Sequence, residues 1–108
     1  MFDEFVSIVE RDLDVFSGFA LERYFRQKFI EERRYTKIGG WWDRKGENEI
    51  DLVCENELTG RLDFYEIKRD AARISPVGLE RKTSAFFAKN PQLKTRAWAC
   101  RGLSLKDM

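Results

Sequence analysis

Glu49-Ile50-Asp51-Leu52-Val53-Cys54, a polar turn through Asn56 to Gly60, then Leu62-Asp63-Phe64-Tyr65-Glu66-Ile67-Lys68: this stretch decides the fold. Both runs alternate in type and are rich in β-branched, aliphatic and aromatic residues, which predicts two strands joined as a hairpin across Glu55 to Arg61. Alternation puts Glu49, Asp51 and Val53 on one face of the first strand, and Phe64, Glu66 and Lys68 on one face of the second. If pairing makes those faces coincide, Asp51, Glu66 and Lys68 converge. Two carboxylates and an ammonium at a sheet end suit a divalent cation and a water beside a phosphate. The alternative is structural, because Asp, Glu and Lys on adjacent strands also pair with one another.

An acidic strand residue followed by Glu-x-Lys on the next strand, here Asp51 and Glu66-Ile67-Lys68, resembles the PD-(D/E)XK nuclease superfamily. Ile38-Gly39-Gly40-Trp41-Trp42-Asp43, Asn48-Glu49-Ile50-Asp51-Leu52-Val53 and Phe64-Tyr65-Glu66-Ile67-Lys68 together look like the C-terminal, nuclease-like domain of unknown function of archaeal-type AAA ATPases, a resemblance running from about Phe16 to Ala99. It implies a restriction-endonuclease-like fold and a metal-dependent DNA endonuclease. It also implies that a helix glutamate completes the metal site, for which Glu22 is the matching position. Ile50 stands where the superfamily name has proline. In the resembled family the domain follows an ATPase module, and this chain has no Gly-x-x-x-x-Gly-Lys-[Ser/Thr] loop, so the expectation is an excised C-terminal domain.

Composition sets the bounds. A chain of 108 residues predicts one domain spanning 1–108, and 43% hydrophobic content with nine Phe and three Trp predicts a packed core. Apolar runs fall short of a membrane span and no secretory signal precedes the first acidic residues, so the reading is a cytoplasmic protein without a membrane partner. Cys54 and Cys100 lack metal-ligand spacing and read as buried thiols. The absence of His removes imidazole general-base catalysis and the commonest zinc ligand. Residues 1–60 carry 9 Lys or Arg against 14 Asp or Glu, while residues 61–108 carry 11 against 5. A basic half beside carboxylates suits a polyanion such as DNA, the bland alternative being a solvated charged face.

Outward from the hairpin, Phe2 to Leu13 shows helical spacing, Ser17 reads as an N-cap, and a second helix is expected from Gly18 to about Glu32. Within it Glu22 lies among Phe19, Phe25 and Phe29, where a carboxylate needs a metal or an ion pair, the candidate being Arg26 at i+4. Arg33 to Trp42 reads as a strand with a bulge or close approach at Gly39-Gly40, and adjacent Trp41 and Trp42 point to opposite faces. Pro76 starts an amphipathic helix with Val77, Leu79, Phe86 and Phe87 on its apolar side, ending near Asn90-Pro91, with Arg81, Lys82 and Lys89 available to a phosphate backbone. Thr95 to Leu105 holds a last strand, and Lys106-Asp107-Met108 is expected to fray. The sum is an α/β domain, a small central mixed sheet flanked by helices.

Cutting a phosphodiester needs an activated water and neutralised phosphate charge. Asp51 and Glu66 supply hard oxygen ligands for Mg²⁺ or Mn²⁺, the Ile67 carbonyl adds another, and Glu22 closes the shell. Lys68 lies against the attacking water and the phosphate. Glu49 is an outer ligand or pairs with Arg44 or Lys45. Without cutting, the same chain reads as a DNA-binding or regulatory domain of an ATPase.

Overall fold

The computed structural model describes residues 18–108, so the helix expected over Phe2 to Leu13 and the Ser17 cap lie outside the described residues. A helix, α1, covers 18–32 and ends at Arg33, whose φ of 55° turns the chain out of the helix. Strands β1 (Lys37–Trp42), β2 (Glu49–Asn56) and β3 (Arg61–Ile67) follow, then helix α2 (Pro76–Lys89) and strand β4 (Ala97–Leu103). The four strands form one mixed sheet in the order β1-β2-β3-β4, antiparallel except for the parallel β3–β4 pair that α2 bridges. The predicted α/β class and mixed sheet flanked by helices are therefore present. Among the described residues no helix is long and apolar enough to cross a membrane.

Each sheet face has its own apolar layer. Leu21, Phe25 and Phe29 of α1 pack on Leu52, Cys54, Tyr65, Ile67 and Leu103. Leu79, Phe86 and Phe87 of α2 pack on Ile50, Leu62 and Phe64. With helices on both sides, every residue of β3 after Arg61 is buried, as the sheet's doubly covered interior requires. Burial pushes the Cys54 thiol up to about 12. Trp41 stacks edge-on to Phe86 at 5.5 Å while Trp42 is 68% exposed, so the adjacent pair does split between faces.

Local chemistry sets the element ends. In the β2–β3 turn, the Asn56 side-chain oxygen accepts from the N–H groups of Leu58 and Thr59, and Gly60 supplies the left-handed φ of 73°. Ser75 caps α2 by accepting from the Gly78 N–H at 3.0 Å, with Pro76 in the first turn. Asn90 closes the other end, its side chain donating to the Phe86 carbonyl. Val77, expected on the apolar side of α2, is 77% exposed. The final residues do not fray as expected: Ser104 and Asp107 form a capping box around a 3₁₀ turn over Leu105–Asp107.

The register of β1 with β2 contains one irregularity. Gly39 pairs with Val53 but Trp41 pairs with Ile50, so Gly40 alone faces both Asp51 and Leu52. A Cβ on Gly40 would stand 3.3 Å from the Asp51 carbonyl oxygen, a tight approach. The bulge expected at Gly39-Gly40 is thus present, with its extra residue on β2. It reverses the alternation there: Ile50 joins the α2 layer, whereas Leu52 joins the α1 layer.

A second close approach ties the segment after β3 to β4. A Cβ on Gly102 would lie 2.4 Å from Cγ2 and 2.9 Å from Cδ1 of Ile74. Cγ2 belongs to a stiff β-branched side chain, so relief requires moving the 68–75 segment. Gly102→Ala should lower stability by about 1–3 kcal/mol, the usual cost of overpacking. Urea unfolding measures it, and an unchanged midpoint would mean that the segment yields freely.

Candidate functional site

At the end of β3 the chain leaves the sheet and a cleft of about 650 Å³ opens beside α1. Glu22 of α1, Asp51 of β2, Ile67 of β3 and Lys68 line it, with Arg69 and Arg73 on the segment that follows. The bulge puts Asp51 there by sending its side chain toward α1. Asp51 Oδ2 accepts from the Ile67 N–H at 2.8 Å, a backbone donor just beyond the last β2–β3 pair, Leu52 with Tyr65. The carboxylate therefore takes over a ladder bond and is fixed by it. Lys68 continues the β3–β4 ladder through its N–H to the Leu103 carbonyl at 3.0 Å, while its side chain is exposed at the cleft.

Glu22 flanks the buried stripe of α1. That stripe runs through Leu21, Phe25 and Phe29, and Phe19 is 65% exposed, so Glu22 faces the cleft rather than an aromatic surround. The expected i+4 partner is present, Arg26 Nη2 at 3.5 Å. Its carboxyl is nonetheless held above the usual carboxylate range, first by desolvation and then by the negative charge of Asp51, with Glu49 adding to the effect. Glu22 and Asp51 thus repel one another across the cleft. Glu49 is exposed near them.

Glu66 is not part of this group. The expected convergence of Asp51, Glu66 and Lys68 is corrected by the bulge: Asp51 follows Leu52 to the α1 side, and Glu66 follows Phe64 to the α2 side. There Glu66 is buried, with Oε1 3.8 Å from the Lys82 ammonium and Oε2 accepting from the Ser75 N–H at 3.2 Å. Lys82, expected to be available to a phosphate backbone, is engaged in holding this carboxylate. Glu66 thereby anchors the start of α2 and the 68–75 segment that walls the cleft. Asp70 braces the same segment, accepting from the Ala72 N–H at 3.0 Å.

Among the described residues no group of three or more Cys, Asp and Glu side chains is gathered as a metal site. Three carboxylates line the cleft, Glu22, Asp51 and Asp70; Asp70 is occupied by the Ala72 N–H, which leaves Glu22 and Asp51 beside the backbone of Ile67 as the candidate donor set. Hard oxygens in that number fit a cation that keeps several waters, as Mg²⁺ does, rather than a closed protein cage.

A second polar cluster, which the sequence reading missed, occupies the other end of the α1 side of the sheet. Tyr35 OH donates to Asp63 Oδ2 at 2.7 Å and lies 2.6 Å from Tyr65 OH, while Arg61 Nε meets Asp63 at 3.1 Å. Desolvation and these hydrogen bonds push the Tyr35 phenol above its usual range. Asp63 inside an apolar strand was the signal available, because a buried carboxylate needs partners.

No curated protein matches the chain. Over residues 1–81 it matches DUF234, described as archaeal and bacterial proteins of unknown function. That span takes in Glu22, Asp51, Ile67 and Lys68 and stops within α2, before β4. With 81 of 108 residues matched, the chain belongs to this family of archaeal and bacterial proteins of unknown function.

Proposed function

We propose that this chain is a nuclease-like, DNA-directed domain of PD-(D/E)XK type that acts on the phosphodiester backbone at the Lys68 cleft. The observation that carries this reading is the joint lining of one cleft by Glu22, Asp51, Ile67 and Lys68. Glu22 and Asp51, with the Ile67 carbonyl, would hold Mg²⁺ or Mn²⁺. When bound, the cation supplies charge neutralisation and a more acidic water. Lys68 places an ammonium against the phosphate and its developing charge, and Arg69 and Arg73 bring further guanidinium charge to the wall of the cleft. Asp51, held by the Ile67 N–H, keeps its carboxylate in place without reorganisation. Glu66 acts here as a positioning residue through Ser75 and Lys82. The resemblance to the C-terminal domain of archaeal-type AAA ATPases supports an ATPase module as the partner in a longer protein.

The commitment of Glu66 to Lys82 and Ser75 favours a second reading, a domain that grips DNA or regulates its ATPase without cutting. Incubation with plasmid and branched DNA in Mg²⁺ or Mn²⁺ separates the two. The nuclease reading expects metal-dependent cutting that falls roughly 100-fold in Lys68→Ala, the scale of losing one preorganised charge donor. Salt-sensitive binding with no cutting, with and without the ATPase, would select the second reading.

A further inference from the structure

The Tyr35–Asp63–Tyr65 cluster opens on a second cleft of about 650 Å³, lined by the residues that follow the C-terminal end of α1, whereas the Lys68 cleft is lined by residues near its start. Its charged lining is three guanidiniums, Arg34, Arg61 and Arg101, against the single carboxylate of Asp63. We propose that this cleft binds a phosphate group, with Arg34, Arg61 and Arg101 as its ligands and the Tyr35–Asp63 pair as the frame that positions them.

The hydrogen-bond directions support that role. Tyr35 gives its proton to Asp63, so in the contact between the phenols Tyr65 is the donor, and Arg34 Nη2 also donates to Tyr35 OH at 3.3 Å. The donors thus run inward to Asp63, which holds Arg61 through Nε at 3.1 and 3.3 Å. A guanidinium has five donors in a rigid fork, so an arginine fixed at Nε still offers its outer nitrogens to a tetrahedral oxyanion. Arg34 lies over the Phe29 and Tyr35 rings, its carbon 5.8 and 5.4 Å from their centroids, which limits its freedom. Arg34 meets Glu32 only at 3.5 Å, both side chains being exposed, and the exposed Arg101 meets the half-buried Asp107 at the same distance. Such surface pairs are weak enough for a doubly charged phosphate to displace. Asn56 and Thr59 add polar groups to the same lining.

Phosphate chemistry has two sources here, a free phosphate or nucleotide and the backbone of a nucleic acid. Titration calorimetry at low salt with inorganic phosphate, a nucleoside monophosphate and a short single-stranded oligonucleotide tells them apart. The unmodified chain should bind at least one probe, and Arg34→Gln with Arg101→Gln should weaken that binding tenfold or more. Both positions are exposed, so the double variant keeps the fold. Adding Arg34→Gln with Arg101→Gln to a Lys68→Ala chain should produce the same tenfold loss, which separates this cleft from the proposed nuclease site whatever becomes of that reading. Loss confined to the oligonucleotide assigns the backbone as source, and loss with the small probes assigns the free phosphate. No binding of any probe, or equal binding by the double variant, overturns the proposal.

Discussion

Phe64→Ala is expected to lower the unfolding free energy by about 3–5 kcal/mol, the upper range for truncating a core aromatic. Phe64 is fully buried on β3 and meets Phe86, Phe87 and Trp98 edge-on, with centroids 5.1, 5.5 and 6.2 Å away. Those rings come from α2 and β4, so one side chain links the central strand to the helix and strand that follow it. The cavity left by its removal cannot collapse easily, because its walls are themselves stiff aromatic rings. Guanidinium unfolding followed by Trp fluorescence measures the loss, with Trp42→Ala as an exposed aromatic control expected within about 0.5 kcal/mol of the parent. Equal, small losses in both variants would show that the α2 layer is not the packed half of the core.

The second large effect concerns Asp51. If this carboxylate serves the proposed site, Asp51→Ala and Asp51→Asn should both lose about 100-fold or more in metal-dependent cutting, together with their Mn²⁺ affinity. Stability distinguishes the two. Ala leaves the Ile67 N–H without its 2.8 Å acceptor, at a cost of about 1–3 kcal/mol. Asn retains an acceptor oxygen in the same place, so its midpoint should lie close to the parent's. Loss of function in Asn with the fold intact separates chemistry from scaffold. Retained cutting and Mn²⁺ binding in Asp51→Asn would remove Asp51 from the proposed site.

Much of the architecture was legible from periodicity. The two runs around Asn56 to Gly60 alternate, and they became β2 and β3; Pro76 and Asn90-Pro91 bracket α2 because ring geometry and caps are local. What alternation cannot record is a single extra residue opposite Gly40. Counting by twos put Asp51 and Glu66 on one face, and the bulge parted them. Lys82 likewise read as a basic residue on an exposed helical face, since its partner Glu66 comes from a strand ten or more residues earlier in the chain. Val77 shows the reverse case, an apolar residue in the first turn of α2 that faces solvent. The Ser104-Leu105-Lys106-Asp107 box was local and readable, because Ser followed three residues later by an acidic side chain marks a helix start. The Tyr35–Asp63 pair joins residues 28 positions apart, and only the folded sheet brings them together.

The bulge also constrains how this domain can vary. Asp51 sits at the phase boundary of its strand, where the side-chain rhythm before it belongs to one layer and the rhythm after it to the other. Deleting one residue there would do more than remove a carboxylate. It would restore a uniform beat and turn Ile50, or else Leu52 and Cys54, out of their layers into the wrong one. Substitution at this position is therefore open to a lineage, but shortening is closed. The proposed site's acid and the strand's reading frame occupy the same residue, so a relative without the proposed chemistry is expected to change the letter and keep the length.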